Sequence, residues 1–129
     1  MKTLEELHEA IPILDLHSQA FWMAIQAAQS KYGQQDCRLI RAINYIVEGR
    51  VKIHDDGKSA TVEGHGEFPY TVHANGTCNC ADAQTRVGSW RCKHSLATGL
   101  IRKMRIIYET LKLQEMQERE NDELYAVMG

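Results

Sequence analysis

Apolar residues near the start of the chain recur at the spacing of a helix. Residues 3–31 contain no glycine and a single proline, Pro12. Because the ring of proline cannot occupy a helix interior, we predict two helices separated near Pro12. Asp15 or Ser18 is expected to cap the second helix, and Gly33 to end it.

Two further helices are predicted from the same spacing. Over residues 36–48 apolar residues recur every three or four positions, and Gly49 follows as a C-terminal cap. Residues 93–120 contain no proline and no glycine after Gly99. The apolar stripe of this last helix consists of Leu96, Leu100, Met104, Ile107 and Leu111, and Ile101, Ile106 and Leu113 extend it. A stripe this long needs cover from the N-terminal helices or from a second copy, so a homodimer is expected.

The middle of the chain alternates with the period of two that strands have. Residues 50–54 and 59–63 alternate on either side of the turn 55–57, which predicts a β-hairpin. Residues 68–73 predict a third strand, and Pro69 favours an edge position because proline donates no backbone hydrogen bond. The sequence thus predicts an α+β fold, with N-terminal helices, a small antiparallel β-sheet and a long C-terminal helix.

Composition is ordinary for a globular domain. The 129 residues are 43% hydrophobic and 25% charged, and no apolar run approaches the roughly 20 residues of a membrane span. The N-terminus is too acidic for a secretory signal, so we expect a cytoplasmic protein, or a nuclear one in a host with a nucleus. We divide the chain into a helical region (1–49), a sheet with the C-terminal helix (50–112) and an acidic helix end or tail (113–129).

Charge is distributed unevenly, although the net charge is only -2. Between residues 86 and 112 a single acid, Glu109, accompanies seven basic side chains: Arg86, Arg91, Lys93, Arg102, Lys103, Arg105 and Lys112. Residues 113–129 reverse the balance, with acids outnumbering Arg119. A partner would respond to these local fields and not to the mean charge.

Three of the four cysteines lie close together in the sequence. Cys78, Cys80 and Cys92 accompany His94, whereas Cys37 stands alone and is expected to be a small buried residue of its helix. Clustered cysteines in a reducing compartment indicate metal binding, with a disulfide, chance burial or a catalytic Cys–His pair as less favoured alternatives. Thiolate and imidazole are ligands that Zn²⁺ prefers, so one structural zinc ion is predicted.

The ligand spacing predicts where the ligands lie. Cys78 and Cys80 are two residues apart and can face one ion from a strand end or a tight turn, which Gly76 permits. On a single helix Cys92 and His94 would diverge by about 200°. Cys92 should therefore precede the last helix, with His94 in its first turn. The positive end of that helix would offset the negative charge of three zinc-bound thiolates.

These residues resemble the SWIM zinc finger. The resemblance covers about residues 60–105 and lies in the pattern Cys-x-Cys, eleven residues, then Cys-x-His, together with the run RCKHSLA from Arg91. Ala81 departs from the family, which often has proline there. The resemblance implies a ββα zinc module that binds DNA or protein, and it does not imply catalysis.

Two functions compete at this stage. The leading one is non-catalytic, salt-sensitive and sequence-tolerant binding of DNA, with single strands favoured if Trp90 is exposed, through Arg86, Trp90, Arg91, Lys93, Arg102, Lys103 and Arg105. The alternative is a protein-interaction adaptor that uses the long C-terminal helix. No phosphate-binding glycine loop or acid–base pair indicates an enzyme. Phe21 and Trp22 are expected in the core, and Trp90 either in the zinc site or on a partner.

Overall fold

A computed structural model describes residues 1–64, 66, 68–81 and 91–128, with side chains as far as residue 122. Its elements, in chain order, are α1 (Leu4–Ala10), α2 (Leu16–Tyr32), α3 (Cys37–Val47), β1 (Val51–Ile53), β2 (Ala60–Val62), β3 (Tyr70–Val72) and α4 (Lys93–Met128). Strands and helices are segregated along the chain, so the predicted α+β class is confirmed.

The N-terminal helices begin and end at the predicted residues. The side chain of Asp15 accepts a hydrogen bond from the backbone N–H of Ser18, and the Ser18 hydroxyl accepts one from the N–H of Asp15. This reciprocal cap starts α2 after the break near Pro12. Gly33 ends α2 with a φ of 106°, a backbone conformation that favours glycine. Asp36 caps α3.

The sheet is a three-stranded antiparallel meander. Strand order is β1-β2-β3, with Val51 opposite Val62 and Ala60 opposite Val72. Because β3 lies at the end of this order, the edge position predicted from Pro69 is confirmed. Val62 and Val72 point into the core and are almost completely buried, so one face of the sheet packs against the helices.

The core lies between α2, α3, the sheet and the N-terminal half of α4. Ile25, Leu39, Ile43 and Leu100 are buried there. The ring of His17, at the start of α2, stacks on Tyr108 at 4.0 Å, whereas the end of α2 lies beside the start of α4. The two helices are therefore antiparallel. Among the described residues, none of the helices combines the length and apolar character that a membrane span requires.

Of the predictions about which side chains are buried, one is confirmed and one is wrong. Phe21 and Trp22 lie in the core, as predicted. The prediction for Cys37 is wrong, because its side chain is exposed. Cys37 is the first residue of α3, and its side chain points about 120–160° away from the buried side chains of Leu39, Ala42 and Ile43.

The last helix is longer than the sequence predicted. It continues through residues 121–128, beyond the expected end near residue 120. Leu96 and Leu100 are buried and Leu111 is half-buried, whereas Ile106 and Leu113 are 63% and 59% exposed. The predicted stripe of α4 is thus buried or half-buried along its length, and of the residues that extend it Ile101 is half-buried, whereas Ile106 and Leu113 stay exposed.

Candidate metal centre

The first two ligands follow a tight turn after β3. The backbone N–H of Gly76 donates to the carbonyl of His73 at 2.9 Å, and the N–H of His73 donates to the carbonyl of Thr77 at 2.8 Å. Gly76 has a φ of 88°, which favours glycine in this turn. The chain then returns beside β3, where Cys78 forms a bridge with Val72. Cys78 and Cys80 thus lie on the returning segment, and both side chains are buried.

The other two ligands lie at the start of α4. Cys92 directly precedes the helix, and its carbonyl accepts the first helical hydrogen bond, from the N–H of Leu96 at 2.9 Å. His94 is in the first turn. This confirms the arrangement predicted from the two-residue spacing.

The four side chains converge on one point. All four are buried, and their ligand atoms lie within 4.8 Å of one another. The Nδ1 atom of His94 is 3.8 Å from the Sγ atom of Cys78 and 4.0 Å from that of Cys92. In a tetrahedral zinc site with ordinary bond lengths, nitrogen and sulfur ligands are about 3.6 Å apart. The cluster therefore has nearly the dimensions that one tetrahedral ion requires.

The donor set of the cluster also fits a metal ion. Three thiols and one imidazole are packed together with no described carboxylate among them. The Nε2 atom of His94 is buried and has no hydrogen-bond partner among the described residues. Because the Nδ1 atom faces sulfur atoms, which are weak partners, the imidazole is poorly satisfied by protein groups alone. The set can hold one ion that accepts sulfur and nitrogen ligands.

The thiols differ in acidity. A hydrogen bond between Cys78 and Cys92 raises the pKa of Cys78, and burial raises it further. The same bond lowers the pKa of Cys92. Further hydrogen bonds from His94 and from the backbone N–H of Ser95, at 3.4 Å from the sulfur, act in the same direction. Of these two thiols, Cys92 is therefore the one that ionises more readily, and the thiolate is the form that binds metals.

Two aromatic rings hold the imidazole of His94. Tyr70 of β3 stacks on it, with ring centroids 4.2 Å apart, and Tyr45 of α3 contacts it at 5.4 Å. A Cβ atom added to Gly64 would lie 2.8 Å from the Tyr70 ring, so glycine leaves the space that this ring occupies. The rings restrict the plane of the imidazole and help to keep Nδ1 directed at the sulfur atoms.

Ser95 connects the two halves of the centre. Its hydroxyl donates to the carbonyl of Gly76 at 2.9 Å and accepts a hydrogen bond from Nε of Arg91 at 3.1 Å. The guanidinium of Arg91 also donates to the Ser95 carbonyl and lies against Gly99, where an added Cβ would be 2.9 Å from it. The turn before Cys78 and the segment before Cys92 thus share one hydrogen-bonded residue.

A second connection joins α3 to the segment before Cys92. Arg38 donates to the backbone carbonyl of Arg91 at 3.0 Å and forms an ion pair with Asp36 at 3.2 Å. Burial opposes ionisation of Asp36, but hydrogen bonds from Arg38 and from the N–H of Leu39 outweigh it and lower the pKa of this carboxyl. The residue that caps α3 therefore also orients the arginine that holds the backbone beside Cys92.

The structure separates the residues predicted to bind nucleic acid. Arg86 and Trp90 lie outside the described residues. The ammonium of Lys93 is 6.0 Å from the Tyr45 ring centroid. Arg91 and Lys103 line a groove between α2 and α4, whereas Arg105 lines a different depression beside His17. Arg102, half-buried, is about 100° around the helix from Lys103.

The sequence analysis did not predict the residues that surround the cluster, and only some of them could have been recognised from a sequence pattern. Tyr70 is two residues before Val72, so the period of the strand places both on one face. Ser95 and Arg38 left no signal, because their roles depend on how the elements pack.

Comparison of the chain with models of protein families, with curated proteins and with solved structures finds no match in any of the three. Any functional assignment therefore depends on the geometry and chemistry of the site.

Proposed function

We propose that the protein is a non-catalytic module in which one structural zinc ion is held by Cys78, Cys80, Cys92 and His94, and that the module binds nucleic acid. The donor set and its near-tetrahedral spacing support zinc, which is commonly bound by three thiolates and one imidazole. Four protein ligands leave no coordination position for water or substrate, which favours a structural ion over a catalytic one. The resemblance to SWIM zinc fingers is in keeping with this proposal.

The observation that carries the nucleic-acid proposal is the α2–α4 groove, a depression of about 300 Å³ beside the metal centre. Three cationic side chains from separate segments line it: Lys31 at the end of α2, Arg91 before α4, and Lys103 within α4. None of its lining residues is acidic. Lys31 was not among the residues predicted from the sequence.

Cations gathered in this way favour an anionic partner. Like charges held close together repel one another. A phosphate group placed between them attracts each of them, so that the net electrostatic interaction becomes favourable. The rest of the lining is uncharged and consists of small residues such as Ala24 and Ala27 together with larger apolar or aromatic ones such as Leu100 and Tyr32. In the sequence Arg91 directly follows residues 86–90, for which further contacts from Arg86 and Trp90 are predicted. DNA is the ligand proposed, with single strands included.

The zinc proposal predicts one zinc ion per chain in freshly purified protein. Cys92→Ala and His94→Ala should lose the ion, because three ligands bind zinc much less tightly than four. Cys37→Ala is the matched control, because Cys37 is exposed and is not part of the cluster. Elemental analysis of unchelated protein measures the stoichiometry. Protein without zinc, or a loss of zinc from Cys37→Ala, would contradict the proposal.

The nucleic-acid proposal predicts salt-sensitive, sequence-tolerant binding. Gel shifts with single- and double-stranded DNA of mixed sequence, at several salt concentrations, give the salt slope. Lys31→Ala combined with Lys103→Ala should lower the slope by about 0.7–0.9 for each phosphate group that the variant no longer neutralises, while zinc stays bound. Trp90→Ala should weaken binding at all salt concentrations, by about 1–3 kcal/mol for each stacked base.

Lys58→Ala is the matched control, because Lys58 is exposed in the turn between β1 and β2. It removes one charge, as each groove substitution does, and should leave the slope unchanged. Binding that ignores the groove substitutions would place the phosphates elsewhere. No binding at low salt would end the nucleic-acid proposal.

The structure favours a second candidate as well. The distal part of α4 stands clear of the described body and exposes Leu113 and Met116, at 59% and 50%. Such a surface suits an adaptor that binds another protein through this helix. Absence of nucleic-acid binding together with association through α4 would favour the adaptor.

A further inference from the structure

The C-terminal helix carries an exposed face that the described body does not cover. At 1.5 Å per residue the 36 residues of α4 extend for about 54 Å. Leu100, Met104 and Ile107 pack towards the body. From residue 112 to residue 122 every side chain is exposed except that of Glu115, which is half-buried. Most side chains between residues 112 and 122 are thus left uncovered by the described residues.

Six residues define this face, which we name the outer face of α4: Arg102, Ile106, Glu109, Leu113, Met116 and Glu120. Arg102 is half-buried, and the other five are exposed. With about 100° per residue they lie within an arc of about 80°, centred almost opposite Leu100 and Ile107. Three of them are apolar and 50–63% exposed. Arg102 precedes the apolar three, Glu120 follows them, and Glu109 lies between Ile106 and Leu113.

The order of charges along this face indicates what covers it. On the outer face the basic residue, Arg102, lies at the N-terminal end, and the two acidic residues, Glu109 and Glu120, follow it along the helix. Two copies of α4 packed in the same direction would place Arg102 opposite Arg102 and Glu120 opposite Glu120, which is unfavourable. Packed in opposite directions, they place each arginine opposite a glutamate. Charge complementarity therefore selects a second copy of this chain, in antiparallel orientation.

We propose that the protein forms a homodimer through antiparallel pairing of its α4 helices, which cross at the level of residue 111. In this register Ile106 meets Met116 of the second copy and Arg102 meets Glu120 of the second copy, and by symmetry each pair occurs twice. Glu109 is also exposed near the crossing and would lie opposite Leu113, which limits the affinity. The interface is short, so the dimer is reversible. This surface is separate from the α2–α4 groove, and either proposal stands if the other fails.

Charge reversal in the full-length, zinc-loaded protein tests the proposal at low salt. Sedimentation equilibrium should show a monomer–dimer equilibrium for the wild-type chain. Arg102→Glu and Glu120→Arg should each weaken the dimer about tenfold, because each turns two attractive pairs into repulsive ones. The double variant, with both substitutions, should restore the wild-type dissociation constant. Leu113→Asp should abolish the dimer.

Glu118→Arg is the matched control, since it makes the same charge change about 160° around the helix from Glu120. It should leave the dissociation constant unchanged, and circular dichroism and zinc content should match wild type for every variant. A wild-type monomer at millimolar concentration would overturn the proposal. So would single reversals without effect, as a parallel pair predicts, or a double variant that stays monomeric.

Discussion

Ser95 lies at the point where the two halves of the metal centre meet, although its side chain is not a ligand. It is 1% exposed, and its hydroxyl joins Gly76 to Arg91. The geometry of Cys78 and Cys80 relative to Cys92 therefore depends on one hydroxyl. Tyr70 has a comparable role for the fourth ligand, because it stacks on the His94 ring.

Replacing this hydroxyl should destabilise the protein measurably. Ser95→Ala leaves the Gly76 carbonyl and the Nε of Arg91 without their partner, which should lower the free energy of unfolding by about 1–3 kcal/mol. Urea denaturation of the zinc-loaded protein measures the loss. Ser30→Ala is the control, because the Ser30 hydroxyl also donates one hydrogen bond, to the Gln26 carbonyl, but is exposed on α2. It should change stability by less than about 0.5 kcal/mol, and equal losses in the two variants would contradict this role of Ser95.

Elements of the fold were predictable where local chemistry determines them. Asp15 and Gly33 delimit α2 through a cap and a left-handed glycine, both of which short sequence patterns reveal. The alternation around residues 55–57 likewise predicted β1 and β2. The end of α4 was not predicted, because Asn121 and Asp122 are weak helix formers. An established helix passes through such residues, since propagation costs far less than nucleation.

The metal centre, too, was predictable where the local sequence determines it and not where tertiary packing does. The ligand set and the position of Cys92 before a helix follow from spacing alone. The stacking of Tyr70 and Tyr45 on His94 requires β3 and α3 to meet over the first turn of α4, which no local pattern shows. Lys31 was missed for the same reason. It lies more than 60 residues before Lys103 in the chain, and only the antiparallel packing of α2 on α4 brings both to one groove.

At the scale of the whole molecule, the metal centre connects two regions that differ in how they are stabilised. The helices supply most of the buried residues of the shared core, among them Ile25 and Leu39 of α2 and α3 and Leu100 of α4. Each strand of the sheet has only three residues. An isolated sheet of this size is marginal in water, so its order depends on packing and on the ligands that follow β3.

Removal of zinc should therefore unfold part of the protein and not the whole. Binding of structural zinc contributes about 10–16 kcal/mol in isolated fingers, and we expect much of that energy to stabilise β3 and the first turn of α4 here. After chelation, amide hydrogen exchange should accelerate at Thr71 and Val72 and around His94, and should remain slow at Ile25 and Ile43. Added zinc should reverse the change. Cooperative loss of protection in α2 and α3 as well would show that the helical core has no stability of its own, and unchanged exchange in β3 would show that the ion does not order the sheet.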